Sequence, residues 1–354
     1  MLKFIIRKAA YGILVLLGVI ALVFFLFQGF GDPSRIVMGQ TGDSTTQANI
    51  RKDLYLIDEQ GKEIPKFKQF LFYLNDVSPI CVHSKTDIEK KKLSGFFTGG
   101  ERQFGIKIPY LRKSYQSKRE VWTILMQALP GTLMLALAAM AIAIALGIPL
   151  GVVAAVRQNS WIDTSAIFSS IVGISAPSFF MGIIMVYLFG FVLSEWTGLH
   201  IAGSWFVIDD AGHRRLSLQN LILPAVTLGI RPLAIITQLT RSAMLDVLDQ
   251  DYIRTAYAKG LSRRAVIWKH GLRNALNPVI TAITGWFAEL LAGAFFVEYI
   301  FGWQGIGKVT VDALEKLDYP VVMGSVLISA GFFILINILA DILYGVVDPR
   351  VRLS

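Results

Sequence analysis

Long stretches without a charged residue most constrain what this chain can fold into. Four blocks contain no Asp, Glu, Lys or Arg: residues 9–31, 121–156, 164–194 and 319–340. An apolar run of about 18 or more residues is long enough to cross the hydrocarbon core of a bilayer as a helix. Only 17% of the 354 residues are charged, against about 25% in soluble domains. The sequence therefore predicts a helical protein that crosses a membrane several times.

We predict an all-α membrane protein with six transmembrane helices. They cover roughly residues 9–30, 121–156, 164–194, 217–243, 276–300 and 321–346. The second block is longer than one crossing needs, so Pro130 and Pro149 are expected to mark its interfacial ends. Pro177 predicts a kink in the third helix, and Gly147 with Gly151 predicts close helix packing.

The chain divides into three predicted parts. Residues 1–30 form an N-terminal tail and the first helix, which we expect to be an uncleaved span rather than a signal peptide, because no small-residue cleavage site follows it. Residues 31–120 are polar and form a folded extramembrane insert between helices 1 and 2. Residues 121–354 form the core with helices 2–6.

Lysine and arginine residues predict the orientation. The N-terminal tail carries Lys3, Arg7 and Lys8, and the tail after helix 6 carries Arg350 and Arg352. The connection over residues 241–278 is also rich in basic residues. Because cytoplasmic loops retain Lys and Arg, both termini and this connection are expected in the cytoplasm. The basic insert over 31–120 is then outside, since loops longer than about 60 residues translocate largely regardless of charge.

Several function classes are disfavoured by composition. The net charge of +9 is explained by cytoplasmic loops, so no nucleic-acid partner is expected. Cys81 is the only cysteine and the four histidines are scattered, so we predict neither a disulfide nor a metal site. Residues 302–310 nearly fit a phosphate-binding loop, but Val309 stands where a Ser or Thr hydroxyl would bind Mg²⁺. We expect these glycines to form a tight re-entrant turn at the outer surface.

The connection over residues 241–278 has the features of a compact folded element. Residues 251–259 suit a short helix, Gly260 can end it in the left-handed conformation, and Ser262 is a plausible N-cap. Pro278 fits the beginning of helix 5. From physical chemistry alone, an ordinary basic loop at the lipid headgroups and a docking element for another protein are equally good interpretations.

A family resemblance favours docking. Residues 251–262, Asp-Tyr-Ile-Arg-Thr-Ala-Tyr-Ala-Lys-Gly-Leu-Ser, resemble the cytoplasmic loop of ABC-importer permeases, with Thr255 in place of that pattern's glutamate. Further matches are Gly31-Asp32-Pro33, residues 175–180, residues 297–307 and residues 318–320. The chain resembles the first permease type of the dipeptide/oligopeptide (peptide/nickel) importers over nearly its whole length. The stretch 80–103 departs from the pattern and looks like an insertion.

The resemblance implies a type I ABC importer permease fold in the bacterial cytoplasmic (inner) membrane. It implies a non-enzymatic permease subunit, with ATP and Mg²⁺ bound by partner ATPases and no cofactor in this chain. The implied partners are a second homologous permease subunit, two ATP-binding subunits, an extracytoplasmic substrate-binding protein and membrane lipid. The residues implied in ATPase docking and coupling are Asp251, Tyr252, Arg254, Thr255, Ala256, Tyr257, Ala258, Lys259, Gly260 and Leu261.

Two charged residues lie inside predicted spans. Arg231 is near the middle of helix 4, where an ionised side chain costs at least about 2.5–3.5 kcal/mol on insertion scales. Glu289 in helix 5 is about as deep and could pair with it. The pair is either a structural ion pair or part of the translocation path.

Other transport and enzyme classes remain as alternatives. A stand-alone secondary transporter or channel would favour inverted repeats with interrupted helices, and none is visible. An intramembrane enzyme would need a nucleophile–base or metal set within the spans, and no histidine lies deep in any of them. The sequence therefore predicts a permease subunit that imports peptides with energy from separate ATPases.

Overall fold

The computed structural model describes residues 2–29 and 51–347, except 53, 59, 202, 204, 205 and 209–213. Two sequence observations lie outside these residues: the match at Gly31-Asp32-Pro33 and the basic tail with Arg350 and Arg352. The chain forms two compact units, each described by itself below. The larger unit comprises Met1–Ala10, Ala128–Lys308 and Gly331–Ser354, and the smaller comprises Tyr11–Gln127 and Val309–Ala330.

Helices account for most of the described chain, and short strands occur in two places. The first half contains α1 (Leu2–Gln28), α2 (Lys66–Val77), β1 (Ile80–Ser84), α3 (Lys85–Lys91), β2 (Gly95–Gly99), β3 (Arg102–Lys107), α4 (Val121–Val156), α5 (Trp161–Ser175), α6 (Ser178–Tyr187), a π-helical turn (Leu188–Val192) and α7 (Ser194–Thr197). The second half contains β4 (Phe206–Ile208), β5 (Arg214–Leu216), α8 (Gln219–Leu248), α9 (Asp251–Ala258), α10 (Arg263–Ala265), a second π-helical turn (Val266–Gly271), α11 (Leu272–Gly293), α12 (Phe295–Ile300), α13 (Ile306–Glu315) and α14 (Tyr319–Val347).

Four of the described helices are long and apolar enough to cross a membrane. These are Ile6–Gln28 within α1, all of α4 and α8, and Tyr319–Ile342 within α14; α5 with the chain from Ser178 to Val192 makes a fifth span if the bent pair is one crossing. The prediction of a multi-pass helical membrane protein is thus confirmed. Helix α11 has 22 residues, or about 33 Å, but it carries Arg273 and Glu289 and is not among the helices found apolar enough to cross a membrane. The count of six spans therefore stays a prediction.

Helix α4 continues past both prolines that are expected to mark the interfacial ends of the second span, and the position of these interfaces stays a prediction. Pro130 and Pro149 both lie inside one continuous helix of 36 residues. A proline in a helix interior removes one backbone hydrogen bond, and packing against neighbouring helices can compensate for that loss. Leu135, Ala136, Ala139 and Ala143 of this helix are fully buried, which explains why the helix continues through its prolines.

The chain turns sharply at Pro177, where the sequence predicts a kink. Helix α5 ends at Ser175, Ala176 is extended with φ −76° and ψ 126°, and α6 begins after Pro177. The residue before a proline disfavours the helical conformation, which explains the position of the break. The axes of the two helical segments on either side of Pro177 differ by 109°. The position of the bend was therefore predicted correctly, but the bend is larger than a kink.

The larger unit is built around the contact between α4 and α8. A Cβ added to Gly147 would lie 2.9 Å from Ile236 Cγ2, and one added to Gly151 would lie 2.6 Å from Thr240 Cβ. Real Cβ atoms do not approach so closely, so α8 can pack here only against glycine. The predicted packing role of this glycine pair is confirmed.

The smaller unit contains an antiparallel sheet, so the prediction of an all-α protein is wrong for the insert. Its strand order is β1–β3–β2, and the stretch 80–103 that departs from the family pattern contains β1, the helix α3, β2 and the start of β3. Next to the sheet, Phe24 of α1 stacks on Tyr73 of α2 with ring centroids 5.5 Å apart. Lys91 pairs with the buried Asp76 at 2.6 Å. The folded insert was predicted from the sequence, whereas its strands were not.

Candidate functional site

The connection over residues 241–278, here called the coupling loop, folds as the sequence predicts in its central part. Helix α9 ends at Ala258, and Gly260 has φ +78°, in the left-handed region that favours glycine. Ser262 Oγ accepts a hydrogen bond from Ala265 N at 3.4 Å and caps the next helix. A Cβ on Gly260 would meet nothing within 4 Å, so the requirement for glycine is conformational and not steric.

The coupling loop has its own small apolar centre. Ile253, Ala256 and Val266 are buried together against Val247 and Leu248. Ala256 belongs to the implied docking set, but it is buried with Ile253, since residues three apart on a helix share a face. Three other members of that set do face outward: Tyr252, Tyr257 and Leu261 are exposed to between 40 and 45%.

Helix α11 begins earlier than predicted. It starts at Leu272, directly after the π-helical turn, so Pro278 lies inside it and does not mark its start. Asn274 Nδ2 donates a hydrogen bond to Tyr252 Oη at 2.8 Å and connects the base of α11 to α9. The outward-facing surface of α9 is thereby attached directly to a long helix of the core.

An ion pair between α8 and α5 holds the chain in place where the coupling loop begins. Arg241 in α8 makes a forked ion pair with Asp163 at the start of α5, with Nη2 2.7 Å from Oδ2. Asn159 N also donates to Asp163 Oδ2 at 2.9 Å, and Asp163 is only 2% exposed. A bidentate arginine–carboxylate pair is among the strongest polar contacts in proteins. Sequence spacing could not reveal it, because the partners are 78 residues apart.

Arg231 and Glu289 are brought together as the sequence analysis expected. Arg231 Nη1 lies 3.7 Å from Glu289 Oε1, and the guanidinium lies 5.1 Å from the centre of the Trp286 ring. Both side chains are half exposed in the isolated chain, at 50 and 53%. The geometry confirms the pairing, while the role of the pair stays a prediction.

Sequence reasoning assigned no role to Glu298, which organises the glycine-rich turn before α13. It is completely buried, and its Oε2 accepts hydrogen bonds from the backbone N–H groups of Gly307 at 2.7 Å and Lys308 at 3.2 Å. Thr132 in α4 accepts a hydrogen bond from Ile306 N at 2.9 Å. Glu298 and Thr132 thus both hold the start of α13, and Thr132 connects it to α4.

The glycines of this turn make room for the carboxylate. A Cβ on Gly305 would lie 2.3 Å from Glu298 Oε2, and one on Gly131 would lie 1.8 Å from the carbonyl oxygen of Gln304. Trp303 Nε1 also donates to the carbonyl of Gly131 at 2.9 Å. The N–H groups that a phosphate-binding loop would offer to a nucleotide are here occupied by Glu298. The only local sequence signal was a lone glutamate beside closely spaced glycines.

The long apolar helices and the folded, basic connection between two of them define a multi-pass helical membrane protein, and comparison with known proteins identifies its family. Residues 147–353 match the binding-protein-dependent transport system inner membrane component family, and residues 1–136 match the N-terminal region of the corresponding membrane component. The chain belongs to this family, which consists of transport components and not of enzymes.

Two curated relatives cover almost the whole chain, and a third covers about two thirds of it. The chain is 36% identical, over 99% of both sequences, to the dipeptide transport system permease protein of Escherichia coli (strain K12). It is 36% identical to the oligopeptide transport system permease protein of Bacillus subtilis (strain 168), over 99% of this chain and 100% of the relative. A dipeptide permease protein of Haemophilus influenzae is 43% identical over 68% of this chain and 76% of its own length.

Proposed function

We propose that this chain is a permease subunit of an ATP-binding-cassette importer that moves peptides across the cytoplasmic membrane. The observation that carries the proposal is the coupling loop, whose apolar side chains face outward from a base fixed to the core. Peptides are the proposed substrate class because the three relatives compared above are named dipeptide or oligopeptide permease proteins.

The proposed topology has six spans with both termini in the cytoplasm. They are α1, α4, the bent α5–α6 pair, α8, α11 and α14. Helix α11 carries Arg273 and Glu289, and charged residues in a span are tolerated where they face a bundle interior or a wet cavity. The insert between α1 and α4 then lies on the extracytoplasmic side of the membrane, and the coupling loop lies in the cytoplasm.

The coupling loop is the proposed receptor for an ATP-binding subunit. The ATPases move when they bind nucleotide, and force must reach the spans through contacting atoms. Tyr252, Tyr257 and Leu261 supply outward apolar contacts, and Gly260 sets the reversal between α9 and α10. Ala256 supports the fold of the loop from inside. ATP and Mg²⁺ belong to the two partner ATPases, and a second permease and an external binding protein complete the proposed importer.

Arg231 and Glu289 are proposed to line the translocation path. A peptide carries an ammonium group at one end and a carboxylate at the other, so a half-exposed cation and anion offer a partner to each. The long distance of 3.7 Å between their charged atoms is compatible with exchange of partners as substrate passes.

Uptake in cells tests the proposed function. Deleting the gene should abolish uptake of a labelled dipeptide, and uptake should also be lost when only the genes for the partner ATPases are deleted. A stand-alone secondary transporter would keep its uptake without the ATPases and lose it when an ionophore collapses the ion gradients. That pair of results would overturn the proposal.

A further inference from the structure

The sheet of the smaller unit carries its apolar side chains on the outside. Side chains alternate along β1 and β3, and the buried face holds Cys81, His83 and Lys107. The opposite face holds side chains that are 48 to 82% exposed: Ile80, Val82, Phe96, Phe104 and Ile106. An antiparallel sheet with one face in water normally has the reverse arrangement. The outward face is therefore built for an apolar neighbour.

The buried face confirms this inversion by its chemistry. Lys107 Nζ donates a hydrogen bond to the backbone oxygen of Asp76, and Cys81 Sγ lies 3.7 Å from the carbonyl oxygen of Gly105. Burial lowers the pKa of Lys107 and of His83. Burying these polar groups costs free energy, and the apolar side chains of the sheet nevertheless face outward.

The strand register makes the exposed side chains one continuous patch. Ile106 stands opposite Ile80 on one side and Phe96 on the other, and Phe104 stands opposite Val82. Side chains opposite each other on one face are about 4.5–5.5 Å apart at Cβ. A contiguous exposed apolar patch marks a site of contact with protein or with a membrane. We call this patch the apolar sheet face.

The position of the apolar sheet face indicates which neighbour covers it. Ile106 and Ile108 line an open groove together with Trp122. Trp122 is the second residue of α4, where this spanning helix starts, and tryptophan is enriched at membrane–water interfaces. At the other end of β3, Arg102 lies on the same face by strand alternation, where it can meet headgroup phosphates.

We propose that the apolar sheet face rests on the lipid bilayer beside the start of α4, with its five apolar side chains at the boundary between headgroups and acyl chains. The insert then contacts the bilayer through this face and is not surrounded by water on all sides. This proposal depends on α4 being a span, but not on the peptide substrate or on the side of the membrane.

Spin-label accessibility tests the proposal on the full chain in nanodiscs of phosphatidylethanolamine and phosphatidylglycerol. In a Cys81→Ala background, nitroxides are attached at Phe96→Cys and Phe104→Cys. Glu89→Cys is the matched control, because α3 lies on the buried side of the sheet, where Lys91 reaches Asp76. Collision with oxygen, which concentrates in lipid, is compared with collision with a water-soluble nickel complex.

The expected result is a ratio of oxygen to nickel accessibility several-fold higher at positions 96 and 104 than at position 89. Nickel accessibility at 96 and 104 equal to that at 89 would place the face in water and overturn the proposal. Exclusion of both reagents when the partner subunits are added would assign the face to a protein and equally overturn it. Because no transport is measured, the outcome is independent of the proposed function.

Discussion

Glu298 holds the glycine-rich turn before α13 together, a role that the local sequence did not reveal. Its carboxylate accepts two backbone N–H groups at the start of α13 and is completely buried. Glu298→Ala would leave those donors without an acceptor, at a cost of about 1–3 kcal/mol for each unsatisfied group. We expect a clearly lower melting temperature of the purified protein in detergent.

The matched control for this substitution is Glu89→Ala, which removes the same atoms from an exposed position of α3. It should leave the melting temperature almost unchanged, since surface substitutions away from buried contacts usually change stability by less than about 0.5 kcal/mol. Equal melting temperatures of both variants and the parent protein would show that the Glu298 contacts do not stabilise the turn.

Arg231 allows a test of the proposed path. Arg231→Leu makes α8 more apolar, so insertion should be normal, while dipeptide uptake should fall strongly because the cation that meets substrate is gone. Arg231→Lys keeps the charge but loses the planar contact with Trp286, so intermediate uptake is expected. Uptake at the parental level in Arg231→Leu, at equal abundance in the membrane, would leave Arg231 without a role in transport.

At the scale of elements, the coupling loop makes the firmest prediction. Gly260→Val places a β-branched residue at φ +78°, which strains the reversal between α9 and α10. We expect the variant to reach the membrane but to lose co-purifying ATPase and peptide uptake. Gly18→Val is the control, since Gly18 in α1 has open space around it and no left-handed backbone. Association retained in Gly260→Val would argue against docking at this loop.

A surface substitution separates docking from folding of the loop. Tyr257 is 45% exposed, so Tyr257→Asp should leave melting unchanged while it weakens ATPase association. Gln158→Asp adds the same charge to an exposed residue of the α4–α5 connection and should have no effect. Ala256→Glu is a poor probe of docking, because Ala256 is buried and its replacement would disrupt the loop itself.

The elements that sequence predicted are those determined by local pattern. Apolar length identified α1, α4, α8 and α14, and the cap at Ser262 with the left-handed Gly260 identified the turn of the coupling loop. The missed features depend on contacts between distant residues, such as Asp163 with Arg241 and Glu298 with the start of α13. The strands of the insert were also missed: they are only five or six residues long, and their apolar residues face outward and do not mark a core.

At the scale of the whole molecule, orientation in the membrane is the open prediction. Cys81 cannot report it, because the thiol is 2% exposed and burial raises its pKa, which reduces the reactive thiolate. In a Cys81→Ala background, an impermeant maleimide should label Glu89→Cys in intact spheroplasts, since Glu89 is exposed. Lys259→Cys in the coupling loop should react only after lysis. The reverse pattern would invert the proposed orientation.

Uptake by the reconstituted importer tests directly whether this chain imports peptides with energy from ATP. Proteoliposomes would contain this chain, the second permease and both ATPases, with ATP inside and the binding protein with labelled dipeptide outside. We predict that peptide accumulates with ATP in the absence of any ion gradient, and that a non-hydrolysable ATP analogue abolishes accumulation. Accumulation that follows a proton or sodium gradient and does not depend on ATP would contradict ATP-driven import by this chain.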